Sequence, residues 1–160
     1  MMKVCLLADA GSRHTHKWCK YLTERGCQVS VISLSSGEIP GVKVYSLEID
    51  METLSYKRTF AKLKYLFNYR RVRSLLKEIK PDILHAHYAS SYGALGALAK
   101  YKPYIISVWG SDVFEFPQKS KLHAALLKYN LSKADYLFST SEVMAKETAK
   151  YTGKKIEITP

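Results

Sequence analysis

Cysteine is scarce in this chain. There are three, an odd number, and Cys5, Cys19 and Cys27 show neither a C-x-x-C pair nor zinc-finger spacing. That argues against a disulfide framework or a structural metal site, and the expectation is buried or idle thiols in a reducing cytosol. No apolar run approaches the ~20 residues that cross a bilayer. Met1 to Ala10 is too short and too strand-like for a signal peptide. The expected location is therefore cytoplasmic. Internal repeats, low-complexity tracts and linkers are also missing, so one domain over residues 1–160 is expected.

Acidic residues are few: 14 Asp and Glu against 25 Lys and Arg, a net charge of +11. The deficit is local. Between Leu54 and Lys80 stand Lys57, Arg58, Lys62, Lys64, Arg70, Arg71, Arg73, Lys77 and Lys80, opposed by Glu78 alone. Charge gathered in one segment implies an acidic partner more strongly than a basic average does. Recognition-helix, RNP and finger signatures are absent, so nucleic acid is not the expected partner.

What is present is a globular composition, 47% hydrophobic and 24% charged, with apolar runs that alternate between two periods. Lys3–Ala8, Gln28–Leu34, Val42–Leu47, Ile83–Ala86, Tyr104–Val108, Tyr136–Thr140 and Lys155–Thr159 read as strands. Helices are expected over Thr15–Arg25, within the basic segment, and over Ser90–Lys100, Leu122–Leu131 and Glu142–Tyr151. Strands alternating with helices imply an α/β fold: a doubly wound, Rossmann-like parallel sheet with helices on both faces. A strand opening at Lys155 with almost nothing after it suggests a chain cut before a further domain.

Ligands of such sheets bind at the carboxyl ends of the strands, which selects the polar residues found there. In PYIISVWGSDVF, Gly110 breaks an apolar run, and Ser111 and Asp112 follow it directly. Asp112 either orients a hydroxyl or caps the next turn, and the two roles are compatible. The loop Asp9-Ala10-Gly11-Ser12 precedes a helix, where backbone N–H groups and the helix dipole can cradle a phosphate; an ordinary turn is the plain alternative. His85 and His87 fall on one face of a strand. Without a convincing third ligand a metal is not expected. His85 reads as a core residue, and His87, beside Tyr88 and Ser90, as the ligand-facing one. His14 is expected to face solvent and His16 the cleft, while Ser141 is accounted for as an N-cap.

Five segments in order carry a family resemblance. KVCLLADAGSRHTHKWCKYLTERGCQVSVIS, KPDILHAHYASSYGALGALA, PYIISVWGSDVF, KADYLFSTSEVMAKE and KKIEITP resemble the N-terminal half of GT-B-fold glycosyltransferases of family 4 (group 1). The resemblance implies transfer of a sugar from a nucleotide-sugar donor to an acceptor hydroxyl, with retention, in cell-surface glycan or glycolipid synthesis. It further implies a glycan or lipid-linked acceptor held by this half. The nucleotide-sugar would be a co-substrate bound mostly by an absent C-terminal domain, with no cofactor and no metal. This half alone is then expected to be inactive.

By that resemblance Asp112 is the catalytic candidate, and Gly11, Ser12, His16, His87, Tyr88, Ser90, Trp109 and Gly110 are the substrate-binding ones. Trp109 departs from the pattern, because the family commonly has His before Gly-x-Asp. A donor-sugar contact by that His cannot be carried over; an indole can stack on a sugar but cannot accept a proton.

The basic segment has three readings: attachment to anionic lipid through Lys62, Lys64, Arg70, Arg71 and Arg73, steering of a phosphate-bearing acceptor, or a solvated helix face. The rivals to the transferase are a flavodoxin-like binding module with a basic partner-binding face and half of a sugar-nucleotide epimerase.

Overall fold

The computed structural model describes residues 1–49 and 63–159. Lys62 and the side chain of Lys64 lie outside the described residues. Seven strands form one sheet: β1 (Lys3–Leu7), β2 (Gln28–Ser33), β3 (Lys43–Ser46), β4 (Ile83–His87), β5 (Tyr104–Val108), β6 (Tyr136–Ser139) and β7 (Ile156–Ile158). Their order is β3-β2-β1-β4-β5-β6-β7, and every pairing is parallel. All seven expected strands form, each within two residues of its expected ends.

The strand order reverses between β1 and β4, which pair directly with Val4 opposite Ile83 and Leu7 opposite Ala86. From there β2 and β3 extend one way and β5 to β7 the other. Loops leaving β1 and β4 therefore diverge and open a crevice at the carboxyl edge.

Alternation along β1 divides the core. Cys5 and Leu7 join a cluster with Val72 and Leu76 of α2 (Tyr69–Ile79), Tyr92 and Leu95 of α3 (Ser91–Ala99), and Leu127 and Leu131 of α5 (Lys121–Lys133). Val4 and Leu6 face the other way, against Trp18, Cys19 and Leu22 of α1 (Arg13–Glu24). Both faces of the sheet are thus covered, as expected. Burial pushes the Cys5 thiol up to about 12 and the Cys19 thiol to about 11. Both stay protonated and inert.

Two short elements escaped the sequence reading. They are α4 (Ser111–Phe114) and the 3-10 turn Phe116–Lys119, which together carry the chain from β5 to α5. The helix α6 (Glu142–Ala149) closes the last crossover, and Ser141 caps it by accepting from the Met144 N–H.

The small residues of α3 have a steric reason. A Cβ on Gly96 would lie 2.4 Å from the Tyr104 ring, and the Tyr104 hydroxyl donates to the Gly93 carbonyl at 2.8 Å. The helix backbone rests directly on that ring.

The basic segment is a 3-10 turn, Leu63–Asn68, running into α2. Val72 and Leu76 point inward, while Arg70 and Arg71 are exposed. Arg73 corrects the expectation of a lipid or phosphate contact. Its Nε and Nη2 donate to the carbonyls of Ala99 and Leu98 at 3.3 and 3.0 Å, satisfying the last turn of α3.

Candidate functional site

Three strand tips build the crevice. The β1 tip continues into Ala8–Ser12, the β4 tip into Tyr88–Ser90, and the β5 tip into Trp109–Asp112.

The β1 loop is closed upon itself. Asp9 Oδ1 accepts from the Gly11 N–H at 3.0 Å and from the Ser35 hydroxyl at 3.2 Å. The Ala10 N–H donates to Ser33 Oγ, and the Ser12 N–H to the Asp9 carbonyl. Ser12 caps α1, its Oγ accepting from the His14 N–H. The expected phosphate cradle is not what this loop offers. The N–H groups of Ala10, Gly11 and Ser12 are already paired, and the Asp9 carboxylate occupies the position an anion would need. Nor is Gly11 in the left-handed region; it is exposed, leaving bare backbone at the crevice edge.

Asp112 is buried, with 1% of its surface exposed. One oxygen accepts from the Ala89 N–H at 2.7 Å, the other from the N–H groups of Trp109 at 3.0 Å and Gly110 at 2.8 Å. Burial raises its pKa, with these backbone donors pulling the other way. The reading of Asp112 as a catalytic carboxylate is therefore corrected: it ties the β4 and β5 loops together and touches no open space. Gly110, at φ +123, holds a backbone conformation reserved for glycine, which turns the chain so that these N–H groups converge on Asp112.

Asn130 of α5 completes the arrangement and was not singled out from the sequence. Fully buried, it donates from Nδ2 to the carbonyls of Ala89 at 2.9 Å and Ser90 at 3.2 Å. The Ala89 peptide is thus gripped at its N–H by Asp112 and at its carbonyl by Asn130. The one available signal was its place on the inward face of the helix, three residues after Leu127 and beside Leu131. Ser90 is half-buried, and its side chain makes no capping bond.

Above this support lies a cluster of rings. His87 and Trp109 have centroids 5.4 Å apart, and His14 packs on Trp109 at 4.8 Å. Tyr88, exposed and held at φ +75, stacks toward Trp109 at 6.5 Å. Behind His87 stand His85 at 4.8 Å and Trp18 at 5.6 Å. His85 is a core residue as expected, its Nε2 paired with Ser107 Oγ at 2.7 Å. Burial lowers its pKa to about 4. His87 is driven down as well, by burial first and then by its neighbours His85 and His14. Two nitrogens of the cluster, His87 Nε2 and Trp109 Nε1, are buried without a hydrogen-bond partner.

The structure thus assembles His87, Tyr88 and Trp109 at one edge, with Gly11 and Ser90 on the adjoining loops. Two histidines of α1 stand on either side of the β1 loop. His16 Nε2 donates to the Ala10 carbonyl at 2.8 Å, while His14, expected to face solvent, remains exposed but packs on Trp109. The difference is one of helix phase, since residues two apart point to different sides of α1.

Among solved structures, the fold is similar to that of Anabaena HepE in complex with UDP and glucose, at 16% identity and a TM-score of 0.64, covering 98% of this chain and 44% of that one. Sucrose-phosphate synthase from Thermosynechococcus elongatus is similar at 10% identity and a TM-score of 0.65, covering 99% and 47%. The UDP-GlcNAc 2-epimerase from Neisseria meningitidis bound to UDP-GlcNAc matches at 12% identity and a TM-score of 0.59, covering 99% and 46%. At these identities the likeness establishes the fold alone, the N-terminal half of a GT-B architecture. A Bacillus subtilis (strain 168) protein bearing the name of a teichuronic acid biosynthesis glycosyltransferase, TuaC, is 29% identical over 114 residues, 66% of this chain and 29% of that protein. The chain therefore spans less than half the length of each of these proteins. Residues 3–141 match the family described as glycosyl transferase 4-like, across nearly the whole sheet and all three crevice loops. The chain belongs to the glycosyl transferase 4-like family.

Proposed function

We propose that this chain is the acceptor-side half of a glycosyltransferase, which moves a sugar from a nucleotide-sugar donor to an acceptor hydroxyl with retention at the anomeric carbon. The observation that carries this reading is the packing of Tyr88 on Trp109, with His14 from the β1 side also on Trp109, at the topological switch point where α/β sheets bind ligands. Family membership supplies the reaction class.

In this reading the half contributes positioning rather than a nucleophile. Tyr88, Trp109 and the bare Gly11 backbone form one wall for the acceptor, and Asp112 and Asn130 hold that wall rigid from behind. Asp112 is spent on backbone donors, so the acceptor's proton passes to the donor's own phosphate. The nucleotide-sugar is a co-substrate whose main contacts lie in a second domain, and this half alone does not turn over. The acceptor is a glycan or lipid-linked glycan of the cell surface.

Phe67, 70% exposed, together with the exposed Arg70 and Arg71, is the part of the basic segment suited to an anionic membrane. That patch supports attachment of the enzyme to an anionic membrane surface, in this reading the cytoplasmic one. Among the described residues, no helix is long and apolar enough to cross a membrane.

The test is a nucleotide-sugar hydrolysis and transfer screen on the complete gene product, with and without anionic liposomes. Glycosylated acceptor supports the reading. An epimerised sugar nucleotide, or no consumption of any donor, sinks it.

A further inference from the structure

We propose that a cleft at the amino edge of β1, β2 and β3 is a second ligand site, which takes a small phosphate ester with a hydroxylated body. It lies at the opposite end of the strands from the crevice. The inference goes beyond the acceptor-side reading and does not depend on it.

Strand register builds the floor of this cleft. Lys3 stands opposite Gln28, and Ser30 opposite Lys43. Side chains two apart along a strand share a face. Lys3 therefore points the same way as Cys5, Gln28 and Ser30 as Ile32, and Lys43 as Tyr45, all toward the α2 side of the sheet. The last turn of α2 lies above them, with Glu78 and Ile79 lining the space. The cleft measures about 300 Å³, the lower end of the range for small-molecule sites. Five residues of β1 separate its two ends, so the crevice is about 15 Å away.

The floor changes character at this edge. Farther along the same face β1 and β2 supply Cys5, Leu7 and Ile32, whereas at the cleft they supply Lys3, Gln28 and Ser30. Ser30 is only 8% exposed, and its hydroxyl meets the Cys5 thiol, a weak partner. Lys3 has no ion pair among the described residues; the nearby Asp82 carboxylate accepts from its backbone N–H at 2.7 Å. Lys43 Nζ stands 3.9 Å from Glu78 Oε1, too far for a hydrogen bond. Both ammonium groups keep donors to give.

These groups select their guest. Lys3 and Lys43 are two strands apart, roughly 10 Å across the sheet, and their long side chains can converge on one anion over Gln28 and Ser30. A phosphate accepts from two ammonium groups, a hydroxyl and an amide at once. Glu78 opposes a bare anion but accepts from hydroxyls, so it favours an ester whose remaining body carries them.

The experiment is a titration of the 15N-labelled 160-residue chain, followed at its backbone amides. The probe is glucose 6-phosphate, with glucose and sulfate as controls at matched ionic strength. Saturable shifts are expected at residues 28–30 and 43–45, with the Tyr88 and Gly110 signals unmoved. The double variant Lys3→Gln, Lys43→Gln should bind at least tenfold more weakly, since it removes two charged donors. Both lysines are exposed, so this variant should fold. Lys119→Gln with Lys121→Gln removes the same charge at the carboxyl edge, from exposed positions. It should bind as wild type does.

The inference is overturned if glucose 6-phosphate gives no saturable shift, or shifts the crevice signals alone. It is equally overturned if glucose or sulfate moves the amino-edge signals as strongly, the latter showing an adventitious ion only. Equal weakening in the two double variants, or in neither, would also sink it. Donor consumption by the complete gene product is a separate readout, whose failure would count against the transferase reading and leave the amino-edge shifts in place.

Discussion

The Asp112 carboxylate accepts the Ala89 N–H at 2.7 Å across the gap between the β5 and β4 loops. Its other oxygen holds Trp109 and Gly110, so one side chain sets the spacing of two crevice walls. Asp112→Asn would aim an amide NH2 at N–H groups that need an acceptor. Asp112→Ala would leave three of them unpaired. Either change is expected to cost about 3 kcal/mol or more. The check is a fall in the urea midpoint at unchanged slope. A neutral result would mean that the loops are held by something else.

The buried histidines make stability depend on pH. His85 has a folded-state pKa near 4 against 6.5 for the free group. The unfolded chain therefore binds the extra proton first as pH falls. Stability from this group is complete above about 6.5 and is lost as pH falls toward 4. The depression corresponds to about 3 kcal/mol at most, and His87 acts in the same direction. Urea melts at neutral pH and near the lower limit should show a smaller loss for His85→Gln than for wild type. An equal loss would refute a neutral, buried His85.

Gly96 tests the packing of α3 on the sheet. In Gly96→Ala the new methyl would meet the Tyr104 ring at 2.4 Å. Tyr104 is fixed by its bond to the Gly93 carbonyl, so the ring cannot step aside cheaply. Helix propensity alone would favour Ala by up to about 1 kcal/mol. Overpacking of this kind costs about 1–3 kcal/mol and should win. A raised melting temperature for the variant would contradict the close approach.

These sites differ in how far the sequence discloses them. The strands were legible because each is a short apolar run ended by Gly, Pro, Asp or Ser, and a central parallel strand needs little else. The crevice followed from topology, since sheets of this order have their switch point beside β1. What could not be read was the fate of individual polar atoms. Asp112 stands at a strand tip whether it faces a ligand or a backbone N–H, and only the position of Ala89 distinguishes the two. The same holds for His14 and His16, whose contacts with Trp109 and the Ala10 carbonyl depend on a helix start two residues earlier than expected. Asn130 was hidden because its partners lie 40 and 41 residues away in sequence.

Arg73, Arg70 and Arg71 belong to one helix yet answer to different tests. Arg73 satisfies the carbonyls of Leu98 and Ala99, so Arg73→Ala should destabilise the fold by about 1–2 kcal/mol. Arg70 and Arg71 are exposed; among the described residues the Arg70 guanidinium meets the neighbouring Tyr69, its Nε donating to the hydroxyl at 3.4 Å. Their joint replacement by Gln should leave the melting temperature within about a degree, since exposed substitutions rarely exceed about 0.5 kcal/mol. Each basic residue near an anionic surface is worth about 1 kcal/mol, so the double variant should sediment with anionic vesicles roughly tenfold or more weakly than wild type. Arg73→Ala, measured well below its own melting temperature, should bind them as wild type does. If all three arginines prove equal in vesicle binding, the division of the helix into a structural and a membrane-facing side fails. If none matters, the charge of this segment serves another partner.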